Sequence, residues 1–260
     1  SHGQLLKLPL PAFGISRFIL DGRLLDRMTN NGASVIMDRW RGPERTEGLV
    51  LASGRKATRS PWLGFKMHVS GFRPKADLEM HLGQGGYVGI SEIEGGWFNL
   101  CGLFRKRNDI RQNKEKILFA YLDACGLNEL RQRCESLTVR EDSHCGVAGV
   151  EFGQVARAEG ICSLGDAWGV MPPFTGNGMS MALESAALSV EPLQRWSTGR
   201  QDWPDTIKQI DLAHRRTFGK RLAWARRLHP WMEIPWRQRC ILTLARFRLL
   251  PFQRLFRLTH

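Results

Sequence analysis

Residues 160–196, GICSLGDAWGVMPPFTGNGMSMALESAALSVEPLQRW, concentrate the side chains in this sequence whose types and spacing can do chemistry. A short apolar strand, Ile161 to Leu164, delivers a Gly165-Asp166 step. Pro172 and Pro173 cannot continue a strand, so they stiffen the loop that follows. Gly176 and Gly178 then let the backbone approach something flat or charged. A helix beginning at about Gly178 presents unpaired N–H groups and the positive end of its dipole, which favours an anion or a developing negative charge. Asp166 is an acceptor-only carboxylate, suited to the hydroxyl hydrogens of a sugar or ribityl chain. Strand, acid, proline loop and glycine-fronted helix together describe a cofactor cradle.

Two plainer readings account for some of the same residues. An ordinary strand-loop-helix uses glycines for turns and alanines for packing. Gly178-Met179-Ser180-Met181-Ala182 also imitates the Gly-x-Ser-x-Gly turn of serine hydrolases, but it lacks the last glycine and the strand that should precede it. Ser180 is better read as a first-turn helix residue than as a nucleophile.

The elements that must position this segment are legible around it. Its helix is marked by Met179, Leu183, Ala186, Ala187, Val190 and Leu193, which share one face at 3.6 residues per turn. Upstream, Ser16 is the expected N-cap of a helix whose buried stripe is Leu20, Leu24, Leu25 and Met28, ending at Asn30-Asn31-Gly32. Ala33 to Met37 and Leu49 to Arg59 read as strands. Between Trp62 and Arg105 the pattern alternates through Leu78, Met80 and Leu82, then Tyr87 to Ile93, then Trp97 to Phe104. Turns at Gly83 to Gly86 and at Glu94-Gly95-Gly96 make this an antiparallel sheet. Glu115 to Cys125 is an amphipathic helix stopped by Gly126, and Val147 to Ala156 returns toward the cradle. Asp202 and Pro204 open a long helical tract to about Leu228, with Ile207, Ile210, Phe218 and Leu222 on one face.

The 260 residues, 42% hydrophobic and 24% charged, suffice for one large domain or two small ones with a real core. The formal net charge of +13 is uneven: Arg200 to His260 holds fourteen lysines or arginines against four acids. There Trp236, Ile241, Leu244, Phe247, Leu250 and Phe252 interleave with Arg237, Arg239, Arg246, Arg248, Arg254 and Arg257. Such a stretch either lies on an anionic membrane surface or packs as a helix pair on the cradle domain with its arginines in solvent. Nucleic acid is excluded as a partner, because the cations alternate with core-type residues and few aromatics are left to stack on bases. Six cysteines without a C-x-x-C pair fit a reduced, cytoplasmic setting and argue against a metal site. No stretch reaches the roughly 18 apolar residues of a spanning helix.

The run Gly165-Asp166-Ala167, then Pro172-x-x-x-Gly176-x-Gly178 with small residues at Ala182 and Ala186, resembles the second FAD motif of flavoproteins of the para-hydroxybenzoate hydroxylase type, within them the geranylgeranyl-reductase-like branch. The fold implied is α/β with α+β character. It comprises a partial FAD-binding domain of the glutathione-reductase-like class (residues 1–60 and 151–200), an antiparallel β-sheet substrate domain (61–150) and a basic helical C-terminal region (201–260). FAD is the cofactor implied. Gly165 and Asp166 would meet its ribityl hydroxyls, and the loop from Pro172 through Gly176 and Asn177 would lie along the isoalloxazine ring. The N–H groups of Gly178 and Met179 would face the pyrimidine edge, where reduced flavin carries its charge. Arg17-x-x-x-Asp21-x-x-Leu24-Leu25 with Gly32-Ala33-x-Val35 is similar to the segment before the middle of that domain, where the arginine approaches the phosphate or ribityl region. A solvated first-turn arginine is the equal alternative. At Leu49 to Arg59 the family ends its strand in Asp-Gly-Arg, whose acid in some members also orients an NAD(P)H donor; Ser53 stands in its place here.

The activity implied is an FAD-dependent oxidoreductase, monooxygenase or reductase, acting on an apolar or aromatic small molecule under the sheet. The Tyr-x-Trp-x-Phe-Pro of prenyl reducers is absent, since Val-Gly-Ile-Ser follows Tyr87. Of the halogenases' Trp-x-Trp-x-Ile-Pro only the tail, Glu233-Ile234-Pro235, is matched, so both activities lose weight. The family's opening strand and Gly-x-Gly-x-x-Gly turn have no counterpart, and the Asp38 to Gly48 connection is short. The expectation is therefore a fragment, a sheet completed by a partner chain, or a non-catalytic relative that binds a partner or membrane through its basic end.

Overall fold

The computed structural model describes residues 3–9, 12–38, 46–155 and 160–260. The expected short connection after Asp38 and the end of the Val147–Ala156 segment lie largely outside them. In chain order the elements are α1 (Arg17–Asn30), β1 (Val50–Leu51), β2 (Trp62–Ser70), β3 (Leu78–Gly83), β4 (Gly86–Glu92), β5 (Phe98–Arg105), α2 (Ile117–Ala124) and α3 (Asn128–Arg133). They continue with β6 (Thr138–Val139), β7 (Cys145–Ala148), β8 (Gly153–Gln154), β9 (Cys162–Ser163) and β10 (Gly169–Val170). The C-terminal part is helical: α4 (Gly178–Ser197), α5 (Trp203–Leu228), α6 (Pro230–Glu233), α7 (Pro235–Arg246) and α8 (Phe252–Thr259).

The expected antiparallel sheet is present, in the order β3-β4-β5-β2, with β6 and β7 both on the far edge of β2. Its register pairs Trp62 with Arg105 and Val69 with Phe98. Because side chains alternate across a strand, this register sends Phe65, Met67, Val69, Phe98, Leu100, Phe104, Val88 and Ile90 to one face. That face buries Leu118, Tyr121 and Leu122 of α2 and Leu130 of α3, and the Phe65 and Tyr121 rings lie 5.4 Å apart.

On β3 the same register reverses the reading made from apolar spacing. Glu79 pairs with Ile90, so the acid faces the helices while Leu78 and Met80 are exposed. Glu79 is held there by Arg133 of α3 at 2.7 and 2.9 Å and by the Lys75 amide at 2.6 Å. Burial by itself raises this carboxyl's pKa, but the three partners Arg133, Lys75 and His81 outweigh it and hold it at about 2.

Several expectations near the N-terminus are corrected. Helix α1 forms with its Ser16 cap, whose hydroxyl accepts from the Ile19 amide at 3.3 Å, yet it buries none of its residues, so Leu20, Leu24, Leu25 and Met28 are no core stripe. Ala33 to Met37 pair with nothing and form no strand. Of Leu49 to Arg59 only Val50–Leu51 pairs, in parallel with β9. The stretch from Val147 divides, β7 joining the large sheet and β8 pairing with β10. Helix α5 follows its prediction: Asp202 caps it by accepting from the Asp205 amide at 2.8 Å, and Ile210, Phe218 and Leu222 are buried.

The Glu79 pair makes stability acid-sensitive. A carboxyl whose folded pKa lies at about 2, below its ordinary 4.5, contributes fully above pH 4.5 and loses that contribution as pH falls toward 2. Urea unfolding across this range is expected to show the loss, and Glu79→Gln to flatten it while removing about 3 kcal/mol at neutral pH by stranding Arg133.

Candidate functional site

The segment read as a cradle folds as strand end, 3₁₀ turn, proline loop and helix. Residues 165–167 form a single 3₁₀ turn at the end of β9, and Gly165 sits at φ +55°. Its amide donates to Ser185 Oγ of α4 at 3.0 Å, and a Cβ at this position would lie 3.3 Å from that of Ala182. Glycine and alanine are therefore required where strand end and helix touch. Asp166, the next residue, is thereby fixed about one helical turn from the start of α4.

The loop that follows is stiff by construction. Pro173–Thr175 make another 3₁₀ turn, Thr175 Oγ1 donates to the Pro172 carbonyl at 2.9 Å, and Gly176 closes the turn at φ +67°. Asn177 is buried, and its amide donates to the Thr259 carbonyl of α8 at 2.8 Å rather than capping α4. The helix consequently begins at Gly178 with no side-chain cap, and Gly176, Met179 and Ser180 are exposed at its front. Ser180 is a first-turn residue without a base.

Asp166 is half-buried and makes no hydrogen bond or ion pair among the described residues. Burial raises its pKa, while the guanidinium groups of Arg55 and Arg17 act in the opposite sense from a distance. Arg17 is near enough to act on Asp166 electrostatically, though its own direct partner is Asp21, held at 2.9 Å. Arg55 was not foreseen. It follows Gly54 (φ +74°) in the Gly-Arg turn after β1, and its side chain also donates to the Ala148 carbonyl at 3.4 Å. The exposed Ser53 stands beside it without a charge.

The opposite wall is the second face of the large sheet. Alternation puts Lys66, His68, Asn99, Cys101 and Tyr87 there, and His68 stands directly across from Asn99. The Nδ1 of His68 is buried without a hydrogen-bond partner among the described residues, while Tyr87 is within hydrogen-bonding reach of the Phe174 backbone and the Asn99 side chain of the Cys101 thiol. Buried polar atoms normally find partners, so the unmet Nδ1 of His68 on this face suits a ligand. This face meets α1 at one end and the proline loop at the other. Arg17 and Lys66 line a common cleft of about 330 Å³ with Asp21, Ser143 and Cys145, and the Tyr87 ring is edge-on to Phe174 of the proline loop at 6.4 Å.

Beyond Tyr87 lies an aromatic cluster that sequence reading missed. His229, between α5 and α6, packs 4.8 Å from Trp62, 4.7 Å from Phe152 and 6.3 Å from Phe174. Burial, aided by nearby Arg105, pushes its pKa down to about 4, so the ring is neutral at physiological pH, and its Nε2 has no partner. The polar residues alternating with apolar ones in β2 and β5 were the available signal for His68 and Asn99; nothing local marks His229.

The helix face singled out by apolar periodicity is not the packed one. Met179, Leu183 and Val190 are exposed, while Met181, Ser185 and Ser189 are buried against α5. There His214 Nε2 lies 3.3 Å from Ser185 Oγ and 3.1 Å from the Ser185 carbonyl. Trp168 stacks edge-on against His214 and donates to Asp211 at 2.9 Å.

Among solved structures, the fold is shared with flavin-dependent enzymes. The flavin-dependent brominase Bmp2 matches with a TM-score of 0.68 at 17% identity, over 94% of this chain and 70% of Bmp2. The myxobacterial chondrochloren halogenase CndH, a variant of FAD-dependent halogenases, gives 0.62 at 17% identity over 80% of this chain and 58% of CndH. P. aeruginosa PqsL in complex with 2-aminobenzoylacetate gives 0.51 at 16% identity and covers 70% of this chain. The chain spans about half the length of PqsL, 51%. No family model and no curated protein matches the sequence. At these identities the likeness is one of fold.

An unpartnered carboxylate that burial penalises is a cost to the ligand-free chain. Because its folded pKa is raised, Asp166 weakens stability once pH rises past that value and costs nothing below the ordinary carboxylate range. Asp166→Asn is expected to melt higher than the parent at pH 7, by about 2–4 °C per kcal/mol regained. The difference should vanish at acid pH in a calorimetric pH series.

Proposed function

We propose that the chain is an FAD-dependent oxidoreductase, a monooxygenase or reductase of the hydroxylase type, that acts on an apolar or aromatic small molecule. The observation that carries this reading is Asp166, an unpaired half-buried carboxylate held one turn from the uncapped front of a 20-residue helix. Residues held with unfavourable electrostatics are candidates for functional sites.

The residues present fit the flavin and ribityl half of the cofactor. Asp166 supplies acceptors for ribityl hydroxyls, and Arg17 and Arg55 supply positive charge beside it. A Cβ at Gly176 or Gly178 would meet nothing within 4 Å, so the loop offers an open, flat approach. The uncapped amides of Gly178 and Met179 favour negative charge in front of α4. The sequence contains no Gly-x-Gly-x-x-Gly turn, so no element is assigned to the diphosphate. Bound here, FAD supplies two-electron redox chemistry; the protein's part is to orient it, to exclude water and to hold the substrate. His68, Asn99 and Tyr87 on the facing wall are proposed to bind the substrate's polar group, with the Trp62, Phe152, Phe174 and His229 rings as its apolar surround. The electron donor proposed is NAD(P)H, with Ser53 leaving its orientation to neighbouring cations.

A second reading, a non-catalytic relative, is favoured by the uncovered apolar face of α4. Incubation with excess FAD followed by desalting separates the two. The enzyme reading expects yellow protein whose flavin bleaches anaerobically on adding NADPH. Protein that stays colourless would defeat it. Asp166→Ala is expected to weaken FAD binding, followed by flavin fluorescence, by roughly 1.5–3 kcal/mol, the value of hydrogen bonds to a charged group.

A further inference from the structure

From Ile234 to His260 the chain carries six arginines and no acid. This stretch folds as two helices, α7 beside α6 and α8 against α5, joined by a short turn and each anchored to the rest of the fold. On α7, the buried Gln238 amide donates to the Gly83 carbonyl at 2.8 Å and the Met232 carbonyl at 2.7 Å. On α8, Thr259 accepts from Asn177, and His260 Nε2 lies 3.0 Å from the Thr175 carbonyl. What remains free is the outer face of α7 and the turn between the helices.

That free surface is apolar as well as basic. Trp236 is 57% exposed, and at the turn Phe247 is 67% and Leu249 69% exposed. Between them Arg248 adopts φ +57°, the one non-glycine residue with positive φ among the described residues. An L-residue in this region is strained, and here the strain turns two large apolar side chains outward together. Arg239 and Arg246 lie on the same side of α7 as Trp236 and Phe247, at the spacing that one helix face requires.

We propose that this segment docks on an anionic lipid surface, Phe247 and Leu249 entering the acyl boundary while Arg239, Arg246 and Arg248 meet headgroup phosphates. The proposal stands apart from the flavin reading. Charge complementarity selects an anionic partner, because no carboxylate interrupts the patch. A second copy of the chain would set arginine against arginine. A polynucleotide would meet a patch in which the aliphatic Leu242, Leu244 and Leu249 leave only Trp236 and Phe247 to stack on bases.

Vesicle co-sedimentation of the full chain tests this, with phosphatidylcholine alone and phosphatidylcholine mixed with phosphatidylglycerol. Binding is expected only with the anionic mixture and to weaken with salt. It should fall roughly fivefold for each of Arg239→Gln and Arg246→Gln, and at least tenfold for Phe247→Ser combined with Leu249→Ser. All four positions are exposed, and unchanged circular dichroism and melting confirm that the variants fold. No binding to anionic vesicles, or binding that the Phe247 and Leu249 changes leave intact, would overturn the proposal. So would a dimer, or a complex with single-stranded DNA, lost in those variants while the parent ignores vesicles.

Discussion

One contact sets the geometry on which the site depends, the approach of Gly165 to α4. Strand β9 ends in a turn whose first residue has no side chain and whose amide is accepted by Ser185, while Ala182 leaves room for the backbone. A larger residue on either side would push the turn outward, and Asp166 would move with it. Behind α4 the contact continues into the buried layer of Ser185, Ser189 and His214 on α5. The carboxylate is therefore placed by a rigid two-helix support rather than by the short parallel pair from which it emerges.

This arrangement explains what could be read ahead of the coordinates. The Gly-Asp step, the prolines and the Gly-x-Gly turn carry their geometry locally, through fixed φ and missing side chains, so their spacing survives translation into structure. The large sheet was legible for a similar reason, since its turns are glycine-rich and its strands alternate. The buried face of α4 was not. It is made of serine, methionine and a histidine on the next helix, and such a seam is invisible to a measure that looks for leucine and valine. Glu79 escaped for the same cause: an ion pair in the right register packs as well as an aliphatic residue, and only the register reveals it.

Two walls of different origin enclose the site. The cradle comes from the segment around Asp166, whereas the facing wall comes from β2, β4 and β5, Lys66 to Cys101, 65 to 100 residues earlier. The facing wall meets α1 at Arg17 and Lys66 on one side and the proline loop at Phe174 and Tyr87 on the other. The unmet Nδ1 of His68 belongs to the facing wall. Such atoms weaken a ligand-free protein and reward a ligand that supplies their partners. The division of labour is thus physical: one wall carries charge and backbone amides, the other neutral hydrogen-bonding groups set among aromatic rings.

The parts with least support of their own converge on Asp166. Helix α1 buries none of its residues, β1 and β9 pair over two positions each, and the proline loop is tied from behind by the end of α8. A ligand touching Arg17, Asp166 and the first turn of α4 at once would bind elements that the chain itself joins only weakly, and would add its binding free energy to their stability. The same tie makes the loop sensitive to α8, because Asn177 and Thr175 reach that helix directly. The proline loop is thus held by the end of α8 on one side, and α7 is held separately to the large sheet at Gly83 of β3.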